Sequence, residues 1–232
     1  MVDVESLTEI GLIILYIALP LLVFYMIYLV FTRAFNYMGF TTLEAVLIVF
    51  LCFILGSGFI DTFLPINFSN IYLFSSGNWE VGINTGGAII PIILSIYLII
   101  KKKLEPYKVA IGIAIVAVVT YFIAYPDPTR GIVSPFPDFL LPALFASLVS
   151  IVLLWKNFRK AAPFAYISGT IGVLIGADVF RLYGLLSYNV SEPTPAIIGG
   201  AVIFDMVYIT GILAVIIDSI FMFKQRRAEG VN

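Results

Sequence analysis

Three aspartates interrupt otherwise apolar stretches of this chain: Asp178, Asp205 and Asp218. A carboxylate near mid-bilayer costs about 2.5–3.5 kcal/mol on insertion scales, so each needs a compensating partner or a task. Asp218 lies close to Lys224 and reads as reaching the cytoplasmic interface or the Lys101–Lys103 cluster. The other two carry more chemistry. Asp178 falls about six residues before the outer end of one predicted helix and Asp205 about nine after the outer start of the next, so their depths differ by about 5 Å. Helices joined by a short connection are usually antiparallel neighbours, which lets the two carboxylates face each other. Two close carboxylates cannot both ionise; they share a proton and split their pKa values. That state suits acid–base activation of a water or proton-coupled transport. Structural readings compete with it. Asp178 and Arg181 are spaced i, i+3 and could neutralise each other within one helix, and Tyr208, three residues beyond Asp205, could donate to that carboxylate.

Other polar or broken-backbone features fall at the same depth. One helix begins through Asn84-Thr85-Gly86-Gly87 with Pro91 following, and another through Asp138-Phe139-Leu140-Leu141-Pro142, where a proline frees a carbonyl. Gly199-Gly200 precede Asp205 and allow close approach of helices, as does the Gly172–Gly176 GxxxG pattern. These features make Asn84, Thr85, Pro142, Arg181 and Tyr208 candidate substrate- or ion-binding residues around a catalytic or proton-carrying Asp178–Asp205 pair. Absences narrow the chemistry. The chain has no histidine, which removes His-based metal and haem sites and any Ser-His or Cys-His pair. Its one cysteine, Cys52, excludes an intramolecular disulfide. No lysine lies deep in the last helix to hold retinal, and no TVGYG-like filter is present. Neither a metal nor any other cofactor is expected.

The elements that position these residues follow from composition. Of 232 residues, 61% are hydrophobic and only 12% charged, with a mean hydropathy of +1.08. A soluble domain needs roughly a quarter of its residues charged. The apolar runs approach the roughly 20 residues a helix needs to cross hydrocarbon, and they are continuous rather than alternating, which favours helices over a barrel. They predict an all-α membrane protein, a single transmembrane helical domain over residues 1–232. Its seven helices are expected at about 9–32, 42–61, 85–101, 107–125, 137–156, 163–184 and 196–223. The first run lacks a positive leader and a small-residue cleavage site, so it reads as a retained helix. Ser6–Glu9 and Thr41–Glu44 are capping boxes, which makes Glu44 a cap rather than an active carboxylate.

Eleven basic residues (Arg33, Lys101, Lys102, Lys103, Lys108, Lys156, Arg159, Lys160, Lys224, Arg226, Arg227) fall on one side of this topology, and only Arg130 and Arg181 near the other. The basic side is cytoplasmic by the positive-inside rule, which puts the N-terminus outside and the C-terminus in the cytoplasm of a multi-pass cell-membrane protein. Asn70–Phe74 and Trp79–Ile83 flank Ser75-Ser76-Gly77-Asn78, predicting a short β-hairpin in the 61–84 outer loop. The sequons at Asn67 and Asn189 also fall on outer loops. A net charge of −1 argues against nucleic acid. The expected partners are the lipid bilayer and either a small ion or a transmembrane peptide; the oligomeric state is open.

Two resemblances attach to these residues. Asn84–Pro91, Gly176-Ala177-Asp178 and Gly199-Gly200-Ala201-Val202-Ile203-Phe204-Asp205 resemble a family of uncharacterised multi-spanning proteins of archaea and bacteria, a domain of unknown function. Gly176-Ala177-Asp178-Val179-Phe180 is also similar to the GxGD-type motif of presenilin-type and prepilin-type intramembrane aspartyl proteases, Phe204-Asp205 to the companion aspartate, and Pro142-Ala143-Leu144 to the PAL segment. That second resemblance implies an enzyme whose Asp178 and Asp205 activate water, with the 70–83 hairpin receiving an extended substrate. Three functions follow from the residues: a proton- or cation-coupled transporter or channel, an intramembrane aspartyl protease, and a structural subunit in which the aspartates only bond between helices.

Overall fold

The structure is a computed structural model that describes residues 4–155, 157–200 and 205–221. Lys156, Lys224, Arg226 and Arg227 of the charge count, and Ala201–Phe204 of the second aspartate motif, lie outside the described residues. Helix α1 runs Val4–Met38, α2 Thr42–Gly56, α3 Ile90–Lys102, α4 Pro106–Ile123, α5 Leu141–Leu154, α6 Phe158–Val173, α7 Leu182–Leu186 and α8 Met206–Phe221. Among the described residues, four helical stretches are long and apolar enough to cross a membrane by length and composition: Leu12–Met38, Thr85–Lys102, Pro106–Ile123 and Arg159–Leu186. Three apolar helices are shorter, Thr42–Gly56, Asp138–Leu154 and Met206–Phe221. This is the make-up of a membrane protein.

Helix α6 is the axis of the bundle. It packs against α8, α4, α5, α3 and α1, and every residue from Ala161 to Thr170 is buried within the molecule. Small residues allow this. Gly211 of α8 lies against Thr170 and Tyr166, and Gly112 of α4 against Ser168 and Phe164. Gly172 faces Val116 and Gly176 faces the Ala117 carbonyl, so the GxxxG face is the seam between α6 and α4. The opposite extreme is α1. Its residues Leu12–Tyr25 are exposed on every side, and only its second half joins the core, through Ala34, Phe35 and Met38.

Several helices differ from expectation at one end. α1 is already helical at Val4, which puts Ser6 inside it rather than at its cap. The second box forms: the Glu44 N–H donates to Thr41 Oγ1 and the Thr41 N–H to Glu44 Oε2, at 3.2 and 2.7 Å. The helix expected over 85–101 opens as a wide π turn, Thr85–Ile89. The one expected over 163–184 also passes through a π turn, Leu174–Val179, before the short α7. The largest departure is at 196–223. Thr194–Ile198 is strand β5, not helix, and α8 is described only from Met206. Pro195 and the left-handed Gly199 (φ +70°) oppose a helix there, and a short apolar run suits a strand as well.

Strand β5 completes a sheet at one end of the bundle. β1 (Asn70–Ser76) and β2 (Trp79–Asn84) pair antiparallel around Gly77, whose φ of +59° suits a two-residue hairpin loop. β5 adds to the far side of β2 in parallel, from Trp79 opposite Thr194 to Ile83 opposite Ile198, giving the order β1-β2-β5. A separate pair, β3 (Tyr125–Asp127) and β4 (Gly131–Val133), caps the end of α4.

The α4–α6 seam makes a stability prediction. A Cβ at Gly176 would strike the Ala117 carbonyl oxygen and lie 2.8 Å from Thr120 Cβ. Gly176→Ala should therefore destabilise the bundle by about 1–3 kcal/mol through overpacking, read as a lower thermal unfolding midpoint of the detergent-purified protein.

Candidate functional site

Asp178 leaves α6 on the Leu174–Val179 π turn, a local widening that re-aims side chains and is frequent at functional positions. It is half-buried, and its Oδ2 accepts a hydrogen bond from the Gly199 N–H at 2.9 Å. Gly199 has little alternative to glycine: its φ is +70°, and a Cβ there would lie 2.8 Å from Ala88 Cβ and from the Gly87 carbonyl carbon. Asp205 caps α8. Its Oδ1 accepts from the Val207 N–H at 2.8 Å, and its carbonyl from the Ile209 N–H at 2.9 Å. Both carboxylates line one cleft.

The cleft has a volume of about 520 Å³. Asp178 and Asp205 line it together with β5 along its whole length, Thr194–Ile198, and the β3–β4 turn with the start of β4, Pro128–Ile132. Trp79, Leu182 and Leu185 supply apolar surface between them. Trp79 is held in place by donating from Nε1 to the Tyr188 carbonyl at 2.9 Å. No group of three or more Asp, Glu, Cys or His residues gathers among the described residues.

Sequence reasoning placed Arg130 on the outer side without giving it a role, yet it lines this cleft. Its position comes from Asp127. That carboxylate accepts from the Thr129 N–H and hydroxyl at 2.8 and 2.6 Å, and from the Arg130 N–H and Nε at 3.0 and 3.3 Å. The sequence signal was local: Asp127-Pro128-Thr129-Arg130-Gly131 has the chemistry of an Asx turn closing a hairpin.

Five of the expected binding residues stand elsewhere. Asn84 is a buried structural hub: its Oδ1 accepts from the Gly87 N–H, while Nδ2 donates to the Gly56 carbonyl and to Asn70 Oδ1. Thr85 ties the same turn to the 57–69 loop, with its hydroxyl on the Phe68 carbonyl and its N–H on the Ser69 carbonyl. Pro142 lies in the first turn of α5, where its missing N–H would have been unpaired in any case, so no carbonyl is freed inside the helix. Arg181 does not pair with Asp178. Its guanidinium donates to the Tyr121 carbonyl and stacks on the Tyr121 ring, 3.9 Å from the centroid. Tyr208 turns away from Asp205 into the core, stacked on Phe31 with centroids 5.4 Å apart. Asp218 is fully buried on α8 rather than reaching an interface.

The Asp127 turn carries a pH dependence. The Thr129 hydroxyl, then the Thr129 N–H and the Arg130 groups, hold the Asp127 carboxyl at about 2, below its ordinary 3.8. A group whose pKa is depressed on folding contributes fully above its ordinary value and loses that contribution as pH falls toward the folded one. Exchange protection of the Thr129 and Arg130 amides should therefore hold down to about pH 4 and fall as pH approaches 2. Asp127→Ala should remove both the protection and its pH dependence, as amide hydrogen exchange would record.

No curated protein and no solved structure matches the chain, and the likeness to intramembrane aspartyl proteases gains no support from either comparison. A family model described as a protein of unknown function, DUF1614, matches residues 60–217. That stretch contains all five strands, both cleft aspartates and Arg130. The chain therefore belongs to the DUF1614 family of proteins of unknown function.

Proposed function

We propose that this protein is a multi-pass cell-membrane protein that binds a proton or a cation between Asp178 and Asp205, as the loading step of coupled transport or conduction. The observation that carries this reading is that two carboxylates from separate elements line one cleft. Arg181 is held by the Tyr121 carbonyl, and Arg130 Nε donates to Asp127. Two carboxylates brought to one cleft can share a proton or hold a cation between them. The excess of lysine and arginine at the opposite end of the bundle supports an N-terminus outside and a cleft that opens outward.

The structural duties of the two aspartates separate cleanly from their charge. Asparagine caps a helix as well as aspartate does, so Asp205→Asn keeps the α8 cap, and Asp178→Asn keeps an oxygen for the Gly199 N–H. Both variants should fold with near-unchanged thermal midpoints. In proteoliposomes loaded with a pH dye, an outside acid pulse or an inward sodium or potassium gradient should drive flux that falls about tenfold or more in each variant. Equal flux in the wild type and both variants would remove the transport reading.

One observation favours a second reading, aspartyl-protease-like activation of water: the carboxylates lie at the end of a strand edge on which a chain could be laid out. It predicts cleavage of a single-span substrate that stops in both variants, and cleavage surviving in either one rejects the dyad. A structural subunit predicts neither flux nor cleavage.

A further inference from the structure

The segment that joins α2 to β2 is apolar where a water-facing loop would be polar. No Lys, Arg, Asp or Glu lies between Asp61 and Glu80. Phe59, Phe63, Ile66 and Phe68 of the loop and Ile71–Phe74 of β1 all stand exposed, Phe63 at 73% and Ile66 at 60%. An apolar surface this extensive marks a contact with membrane or with another protein. The backbone beneath it is tied up by the segment's own short side chains. Ser69 Oγ accepts from the Gly58 N–H at 2.8 Å, Asp61 Oδ1 from the Phe68 N–H at 2.7 Å, and Asn67 Oδ1 from the Asn70 N–H at 2.8 Å. Asp61 is thereby spent on amides. Polar groups bonded within the segment and apolar ones turned outward suit a poorly hydrated surrounding.

Helix length says which surrounding this is. α2 starts beside the basic end of α3, where Gly39 lies against Lys102 Nζ, and finishes at Gly56 beside Gly86. From Thr42 to Gly56 is about 21 Å, and from Gly86 to Lys102 about 24 Å. Lys101–Lys103 stay at or beyond the edge of the hydrocarbon, which is about 30 Å thick. Gly56 and Gly86 therefore lie about 6 Å or more short of the opposite edge, and any tilt of the helices deepens them. The chain leaving Gly56 makes only the short turn Ile60–Thr62 before β1, so no helix completes the crossing. Its exposed apolar side chains continue the outward face of α2, where Leu47, Phe50 and Leu51 are exposed.

We propose that residues 59–74 form a shelf seated in the phospholipid bilayer, at the boundary of headgroups and acyl chains in the leaflet opposite the Lys101–Lys103 end. Its partner is lipid of any headgroup charge, since the shelf carries no basic residue with which to choose an anionic one. Glu80, the next charge along the chain, marks where it gives way to water. β1 and β5 are the outer strands of one sheet about 10 Å wide, so the shelf also fixes the height of the cleft that β5 lines. The proposal rests on the chain being a membrane protein and is indifferent to what Asp178 and Asp205 bind.

The test places a nitroxide at Phe63→Cys, Ile66→Cys, Ile71→Cys or Glu80→Cys of the full chain, in phosphatidylcholine vesicles with and without phosphatidylglycerol. Cys52 is buried, and the unsubstituted chain supplies the blank. Power-saturation EPR compares collisions with oxygen, which concentrates in hydrocarbon, and with chromium oxalate, a trianion that hydrocarbon excludes. The oxygen-to-chromium ratio should be about tenfold or more higher at positions 63, 66 and 71 than at position 80, in both lipid mixtures. All four replaced side chains are exposed, so unchanged thermal midpoints should confirm that each variant folds. Ratios equal to that at position 80 mean water over the segment, as local thinning of the bilayer would give, and overturn the proposal. Labels that neither reagent reaches mean a cover of protein, such as a second copy, and overturn it equally. So does a ratio that rises only with phosphatidylglycerol.

Discussion

The pairing of β5 with β2 organises the functional end of the molecule. It fastens the connection that leads into α8 to the connection that leads into α3, more than a hundred residues apart in sequence. With β5 held, Gly199 arrives against the Thr85–Ile89 turn and its N–H meets Asp178. Asp205 follows a few residues later at the start of α8. The meeting of the two carboxylates is thus a product of backbone hydrogen bonding in a small sheet, more than of side-chain contacts between helices.

Asn84 anchors that arrangement from the other side. One amide satisfies a helix-start N–H, the last carbonyl of α2 and the side chain of Asn70 at the root of the hairpin. Unpaired backbone groups buried at this depth would be expensive. A single asparagine therefore does for three elements what water does at the end of a soluble helix. Asp61 plays a similar part in the preceding loop, accepting from the Phe68 and Ser69 amides.

Much of the helical framework was legible because continuous apolar runs have no other use, whereas the depth expected for Asp205 assumed a helix from 196, where the chain is strand β5. Asp178 and Asp205 do line one cleft. The residues assigned around them lie outside the cleft. Arg181 and Tyr208 each have a near neighbour in sequence that looks like a partner, but their contacts come from other elements, Tyr121 and Phe31, while Asn84 is taken up by Gly87, Gly56 and Asn70. Periodicity says which face a residue occupies and is silent about which foreign carbonyl will be there. Ala196–Ile198 reads as the start of a helix because three apolar residues after a proline have no period long enough to decide. Arg130 was counted as a topological charge since its role depends on a cleft wall that the sequence does not outline.

The π turn at Leu174–Val179 acts as a phase shifter on α6. An α-helix advances about 100° per residue, so one extra residue accommodated in a single wide turn rotates everything beyond it by that angle. Gly172 and Gly176 keep their faces to α4, while Asp178, only two positions further on, reaches the cleft. In a regular helix Gly176 and Asp178, two positions apart, already point about 200° from each other, and the wide turn sets the final direction of Asp178 on top of that. Loss of one residue in that turn would swing Asp178 by about a quarter-turn from Gly199.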